Sequence, residues 1–107
     1  MSDDGQILFV SKKKSLKIYS KNPTYILTQT LLFNNDISEF SFSSTNKILA
    51  VGTRDNIVKI FHQNGTSFDF LQTINIGFTI LGVDLINSLL EVHGLSSNIL
   101  LFQDNGT

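Results

Sequence analysis

Short apolar runs broken by turns of Asn, Asp, Ser, Thr and Gly recur along the whole chain, and no segment patterns as a helix of useful length. The pattern predicts strands at residues 6–12, 15–20 and 25–33, the last beginning after Asn22-Pro23, where a residue unable to donate to a ladder belongs. Strands near 37–43, 47–53, 56–62 and 68–75 follow, and then 78–84, 88–94 and 97–103. Ile48 to Val51 and Ile57 to Phe61 are apolar almost without alternation, which predicts strands covered on both faces. Phe68-Asp69-Phe70-Leu71-Gln72-Thr73 is mixed, as an outermost strand with a wet rim would be.

These runs repeat. Ile37, Phe40 and Phe42 lead into Lys47-Ile48-Leu49-Ala50-Val51-Gly52-Thr53, then Asp55-Asn56-Ile57-Val58-Lys59-Ile60-Phe61 and the turn Asn64-Gly65-Thr66. At a spacing of 41 to 43 residues come Phe78, Leu81 and Val83, then Leu89-Leu90-Glu91-Val92, Asn98-Ile99-Leu100-Leu101-Phe102 and Asn105-Gly106-Thr107. Upstream lie Gln6-Ile7-Leu8-Phe9-Val10 and Leu16-Lys17-Ile18-Tyr19, so that Val10, Val51 and Val92 are predicted to be equivalent. A period of about 40 to 45 residues holding several short strands marks propeller blades. The expected architecture is all-β: an antiparallel propeller fragment of about two and a half blades, divided as 1–35, 36–76 and 77–107. A ring needs roughly four to eight blades, so this fragment is not expected to close by itself.

The repeat resembles that of the WD40 family over nearly the whole chain. In that family a blade has a hydrophobic strand ending in a Ser-rich turn, a strand ending in Gly-Ser or Gly-Thr, an Asp in the next turn, and a strand ending in Trp-Asp. Phe42-Ser43-Ser44, Leu49-Ala50-Val51-Gly52-Thr53, Asp55 and Val58-Lys59-Ile60-Phe61 match this pattern, and Ser2-Asp3-Asp4-Gly5-Gln6 looks like the turn between the first two strands. The chain lacks Trp, whose place falls to Tyr19, Phe61 and Phe102, and it lacks the Gly-His pair. The resemblance implies that Thr53 and Asp55 tie their turn to neighbouring strands by hydrogen bonds. It also puts Met1 at the last hydrophobe of an innermost strand, so the first blade is expected to lack that strand and the last blade its outermost one. Neighbouring blades, or another chain, are then expected to cover the two open faces. Leu49-Ala50-Val51-Gly52-Thr53-Arg54-Asp55-Asn56, with Val83-Asp84 and Asn98 to Phe102, is similar to the echinoderm microtubule-associated protein family, which implies tubulin binding in the cytoskeleton or cilia.

A hydrophobic share of 41% over 107 residues fills a modest core. The formal net charge of −1 argues against nucleic acid as the main partner. Without cysteine there are no disulfides and no thiolate metal ligands. Met1-Ser2-Asp3-Asp4 is acidic where a signal peptide is basic, and Ile7 to Val10 is too short an apolar run to span a membrane. The expectation is a soluble cytoplasmic or nuclear protein.

Lys12, Lys13 and Lys14, with Lys17 and Lys21, hold five of the eight basic residues. They fit either an acidic partner surface or a solvated turn whose lysines protect an edge. Asp36, Glu39 and Arg54 are expected in turns opening on the same end of the propeller as Lys12, Lys13 and Lys14, and loops on a rigid scaffold are where contacts gather. Both Asn-Gly-Thr segments match a glycosylation acceptor, but Asn-Gly also supplies the positive φ of a tight hairpin. His62 and His93 are the only histidines, on predicted strands of different blades, and with no Cys, paired His or carboxylate cluster expected beside either, both are expected to be structural. Asp84, His93 and Ser96 are hydrolase residue types without the strained nucleophile turn, and no phosphate-binding glycine loop exists. No catalytic residue, cofactor or metal site is predicted. The functional expectation is a protein-protein interaction scaffold, with a microtubule-associated propeller or a structural segment of a longer enzyme as alternatives.

Overall fold

The computed structural model describes residues 7–21, 23–86, 89–95 and 98–102. Met1, the turn Ser2 to Gln6, Ser96 and the second Asn-Gly-Thr segment, all singled out above, lie outside the described residues. Every described element is a strand: β1 (Ile7–Lys12), β2 (Ser15–Lys21), β3 (Tyr25–Leu32), β4 (Ile37–Ser43), β5 (Ile48–Thr53), β6 (Ile57–Asn64), β7 (Ser67–Asn75), β8 (Gly82–Ile86), β9 (Leu89–His93) and β10 (Asn98–Phe102). Among the described residues no helix is long and apolar enough to cross a membrane.

Successive strands pair antiparallel into three sheets, β1-β2-β3, β4-β5-β6-β7 and β8-β9-β10. Val10 stands opposite Lys17, Val51 opposite Lys59 and Val92 opposite Ile99, so the three valines hold one position in three copies of the same ladder. A bulge falls at the same place twice, after Ile18 in the first sheet and after Ile60 in the second. In the first, Thr28 is the extra residue, and its hydroxyl donates to the carbonyl of Ile18 at 3.1 Å.

Two cores lie between the three sheets. Ile7, Phe9, Leu16, Ile18 and Leu31 pack with Phe33 against Leu49, Val51, Phe61 and Phe68 of the middle sheet. On the far side of that sheet, Ile48, Ala50, Val58 and Ile60 pack with Ile76 and Ile80 against Val83, Leu90 and Val92. The middle sheet is therefore covered on both faces, and all six residues of β5 are buried. Strands of the outer sheets alternate instead, as β9 does, because only one face is covered. Gly52 permits the close approach of the last two sheets. A Cβ there would meet Val83 Cγ2 at 3.1 Å and Ile80 Cγ2 at 3.3 Å.

Polar side chains also join the sheets. Gln29 of β3 acts as a strand edge for β7: its Nε2 donates to Phe68 O at 3.1 Å and its Oε1 accepts from Phe68 N at 2.7 Å. Ser41 Oγ accepts from Leu85 N at 3.2 Å between the second and third sheets.

Three sequence expectations need correction. The strand expected at 78–84 is found at Gly82–Ile86, because the apolar run before it is a connecting segment. That segment turns at Gly77 (φ 86°), buries Ile76 and Ile80 and packs Phe78 against the second core. Val83, opposite Val92, thus matches Phe40, opposite Val51, and the equivalence of Phe78 with Ile37 fails. Second, Tyr19 opposes Leu8 and Phe61 opposes Leu49, but the third copy sets Leu101 opposite Leu90, so Leu101 holds the place assigned to Phe102. Third, of Asn64 and Gly65 only Gly65 has positive φ, at 66°. Asn64 pairs with Ser67, so the two-residue turn is Gly65-Thr66, with glycine at its first position.

Candidate functional site

Alternate hairpin turns of an antiparallel chain fall on one end, and here the β1-β2, β3-β4 and β5-β6 turns and the β7-β8 connection share it. Backbone hydrogen bonds tie each turn to its neighbour, one of them between the first and second sheets and the others extending the ladders of a single sheet. Lys13 O accepts from Ile37 N at 2.7 Å, Lys14 O from Phe33 N at 2.9 Å, Asp36 O from Arg54 N at 2.8 Å, and Asn56 O from Ile76 N at 2.9 Å. Glu39, expected in a turn, instead lies on strand β4 opposite Gly52, just past the bulge that follows Ile37. The main chain of the turns is fixed, while the side chains of Lys12, Lys13, Lys14, Glu39, Arg54 and Asp55 are exposed.

Two depressions lie among these residues. Lys12, Lys13 and Lys14 line the first with Ser15, Leu32 and Asp36, and Leu32 stands 77% exposed beside the lysines. Glu39 and Arg54 line the second with Ser38, Thr79, Ile80 and Leu81. Asp36 lines the first, and its carbonyl accepts from the N–H of Arg54, which lines the second. The arrangement offers cationic and anionic side chains beside exposed Leu32 and Leu81, and it suits a protein surface better than a small molecule.

Thr53 is the buried polar residue of this end. Its hydroxyl donates to Asp55 Oδ1, and Ile57 O lies 3.3 Å from the same oxygen. Both contacts stay within the β5-β6 turn, where Asn56 adopts φ 65°, a region Asn tolerates better than most residues.

Lys13 carries strain. It sits at φ 53° in the two-residue turn closed by Lys12 and Ser15. A left-handed conformation costs an L-residue roughly 1–2 kcal/mol, part of which glycine avoids at the expense of a floppier unfolded chain. Lys13→Gly is therefore expected to raise stability by about 0.5 to 1 kcal/mol in urea unfolding, since the Ile37 hydrogen bond uses the backbone alone. A measured loss would contradict this turn geometry.

The histidines differ. His62 is exposed on β6 opposite Asp69. Around His93 the fold does what sequence proximity did not reveal: the β8-β9 register brings Asp84 and Glu91 to its imidazole, each 3.3 Å from Nε2. No carboxylate was expected there. The signal was the spacing of Asp84, Glu91 and His93 about a hairpin whose register could not be fixed beforehand.

No family model and no curated protein matches the sequence. Solved structures do match. The WD40 β-propeller domain of Doa1 superposes with a TM-score of 0.76 at 13% identity, over 92% of this chain and 35% of that one. A chain in the crystal structure of the mitotic checkpoint complex gives 0.75 at 13% identity, over 94% and 34%. At this identity the likeness defines the fold: the chain is an all-β segment of a WD40-like β-propeller, unclosed, spanning about a third of the structures it resembles.

Proposed function

We propose that this chain is a non-enzymatic protein-interaction segment of a WD40 β-propeller, acting in the cytoplasm or nucleus, with its partner held at the blade end that carries Lys12, Lys13, Lys14, Asp36, Glu39 and Arg54. The observation that carries the reading is the backbone bonding of these turns to their own ladders and, through Lys13 and Ile37, between the first two sheets, which presents exposed charged side chains on a rigid frame. Structures of similar fold include a chain found in a multiprotein complex, which agrees with protein partners.

Lysine-directed crosslinking of the full-length protein to its partners in cells tests this surface. Crosslinks through Lys12, Lys13 and Lys14 that vanish on combined charge reversal, Arg54→Glu with Asp36→Lys or Glu39→Lys, are expected. Partner crosslinks confined to Lys21, Lys47 and Lys59 would overturn it. These exposed or half-exposed positions, in turns for Asp36 and Arg54 and on β4 for Glu39, should change stability by no more than about 0.5 kcal/mol, so the circular dichroism and melting of the variants should match wild type.

The finer reading is an acidic partner, with tubulin the one implied by the similarity of Leu49 to Asn56 to microtubule-associated propellers. The exposed lysine turn supports it, because adjacent cations steer toward an acidic surface and the attraction falls with salt. Co-sedimentation with microtubules should then be salt-sensitive and weaken about tenfold when Lys12, Lys13 and Lys14 are reversed to Glu. Absence of binding at low ionic strength removes tubulin and leaves the scaffold reading in place.

A further inference from the structure

The β8-β9 hairpin has two faces of opposite character. Val83, Leu85, Leu90 and Val92 turn toward the middle sheet and belong to the second core. The other face carries Asp84 directly opposite Glu91, with His93 one pleat further along β9 and opposite Gly82. His93 Nε2 lies 3.3 Å from Asp84 Oδ2 and 3.3 Å from Glu91 Oε1, and one donor atom from each of the three residues lies within 4.8 Å of the others.

Two carboxylates placed directly across a strand pair repel, and a cation between them turns that cost into a gain. The converging imidazole nitrogen says which kind of cation. Calcium and magnesium take oxygen sets, whereas one nitrogen with carboxylate oxygens suits a borderline ion such as zinc. A tetrahedral zinc with bonds near 2.0–2.1 Å has ligand-to-ligand edges of about 3.3 Å, the separation of Nε2 from each carboxylate oxygen. Gly82 stands opposite His93 and places no side chain against the imidazole, where a Cβ would make van der Waals contact with Cδ2 at 3.5 Å. Within this chain the side chains are 35% exposed for His93, 26% for Glu91 and 60% for Asp84, so a fourth ligand, either water or a group of the blade expected to cover this face, can complete the set. The set is also peculiar to this hairpin. Asp84 and Glu91 stand where the middle sheet has Ser41 and Ala50, and His93 where it has Gly52.

We propose that Asp84, Glu91 and His93 form a three-ligand site for a zinc-like divalent cation on the outer face of the β8-β9 hairpin. The ion joins the two strands and takes its fourth ligand from outside the hairpin. This site is separate from the charged blade end assigned to protein contact, and neither reading depends on the other.

The test is titration of the chelator-stripped full-length chain with zinc chloride in a non-coordinating buffer, followed by calorimetry, imidazole NMR and melting. Saturable one-to-one binding is expected, shifting the ring signals of His93 and not those of His62, and raising Tm with zinc concentration. His93→Ala should abolish binding, Glu91→Gln should weaken it at least about tenfold, and His62→Ala should leave it unchanged. No saturable binding, or binding that survives His93→Ala, overturns the proposal. If His93→Ala fails to fold, the near-isosteric Glu91→Gln and Asp84→Asn decide, and wild-type zinc affinity in both overturns it.

Discussion

Val51→Asp is expected to unfold the protein, with a cost of about 5 kcal/mol. Val51 has no exposed surface, lies at the centre of the strand buried over its whole length, and faces Phe61, Phe68 and the rings packed on the first sheet. No cationic group belongs to that core, so a carboxylate there is left unpaired in an apolar site or forces water into it. The repeat supplies an internal control. Val10 holds the same ladder position in the first sheet but is 44% exposed, on the face turned away from the middle sheet. Val10→Asp should therefore cost about 1 kcal/mol or less. Urea unfolding followed by circular dichroism, with both variants beside wild type, checks the pair. Equal costs would show that the first sheet does not cover Val51.

The blades were legible because a repeat constrains itself: a valine at one interval, an unbroken apolar strand and a Gly-Thr pair must all be explained by one unit. What a period cannot reveal is a local insertion. Phe78 to Val83 is as apolar as a strand, and only packing decided that Phe78 and Ile80 fill a gap beside Ile76 while pairing begins at Gly82. That shift hid the chemistry of β8 and β9, because a strand set four residues early does not place Asp84 opposite Glu91. The shared end of the lysine, Asp36 and Arg54 turns follows from alternation of antiparallel strands and needs no packing detail. Gln29 was invisible for the opposite reason. Nothing local distinguishes an exposed glutamine from one that completes the hydrogen bonds of a strand in the next sheet.

The second large effect is at Phe9. Its ring lies 5.8 Å from that of Phe40, 5.2 Å from Phe42 and 5.7 Å from Phe68, tilted or edge-on in each case, and Phe42 and Phe68 contact each other at 5.7 Å. Phe9 is thus the one residue of the first sheet in a four-ring cluster otherwise supplied by the second. Truncation removes its burial and leaves a cavity between two sheets, whose separation is held by hydrogen bonds such as those of Gln29 and of Lys13 with Ile37. Rigid spacing prevents collapse. Phe9→Ala is expected to cost about 3–5 kcal/mol, whereas Phe9→Leu, which keeps most of the volume, should cost about 1–2 kcal/mol. Because the lost contacts join sheets, the damage should be uneven: hydrogen exchange in Phe9→Ala should rise most in β1 to β3, while amides of β5 and β6, still covered by the third sheet, keep more of their protection. Uniform loss across all three sheets would mean that the blades unfold as one cooperative unit and that the first sheet is not separately attached.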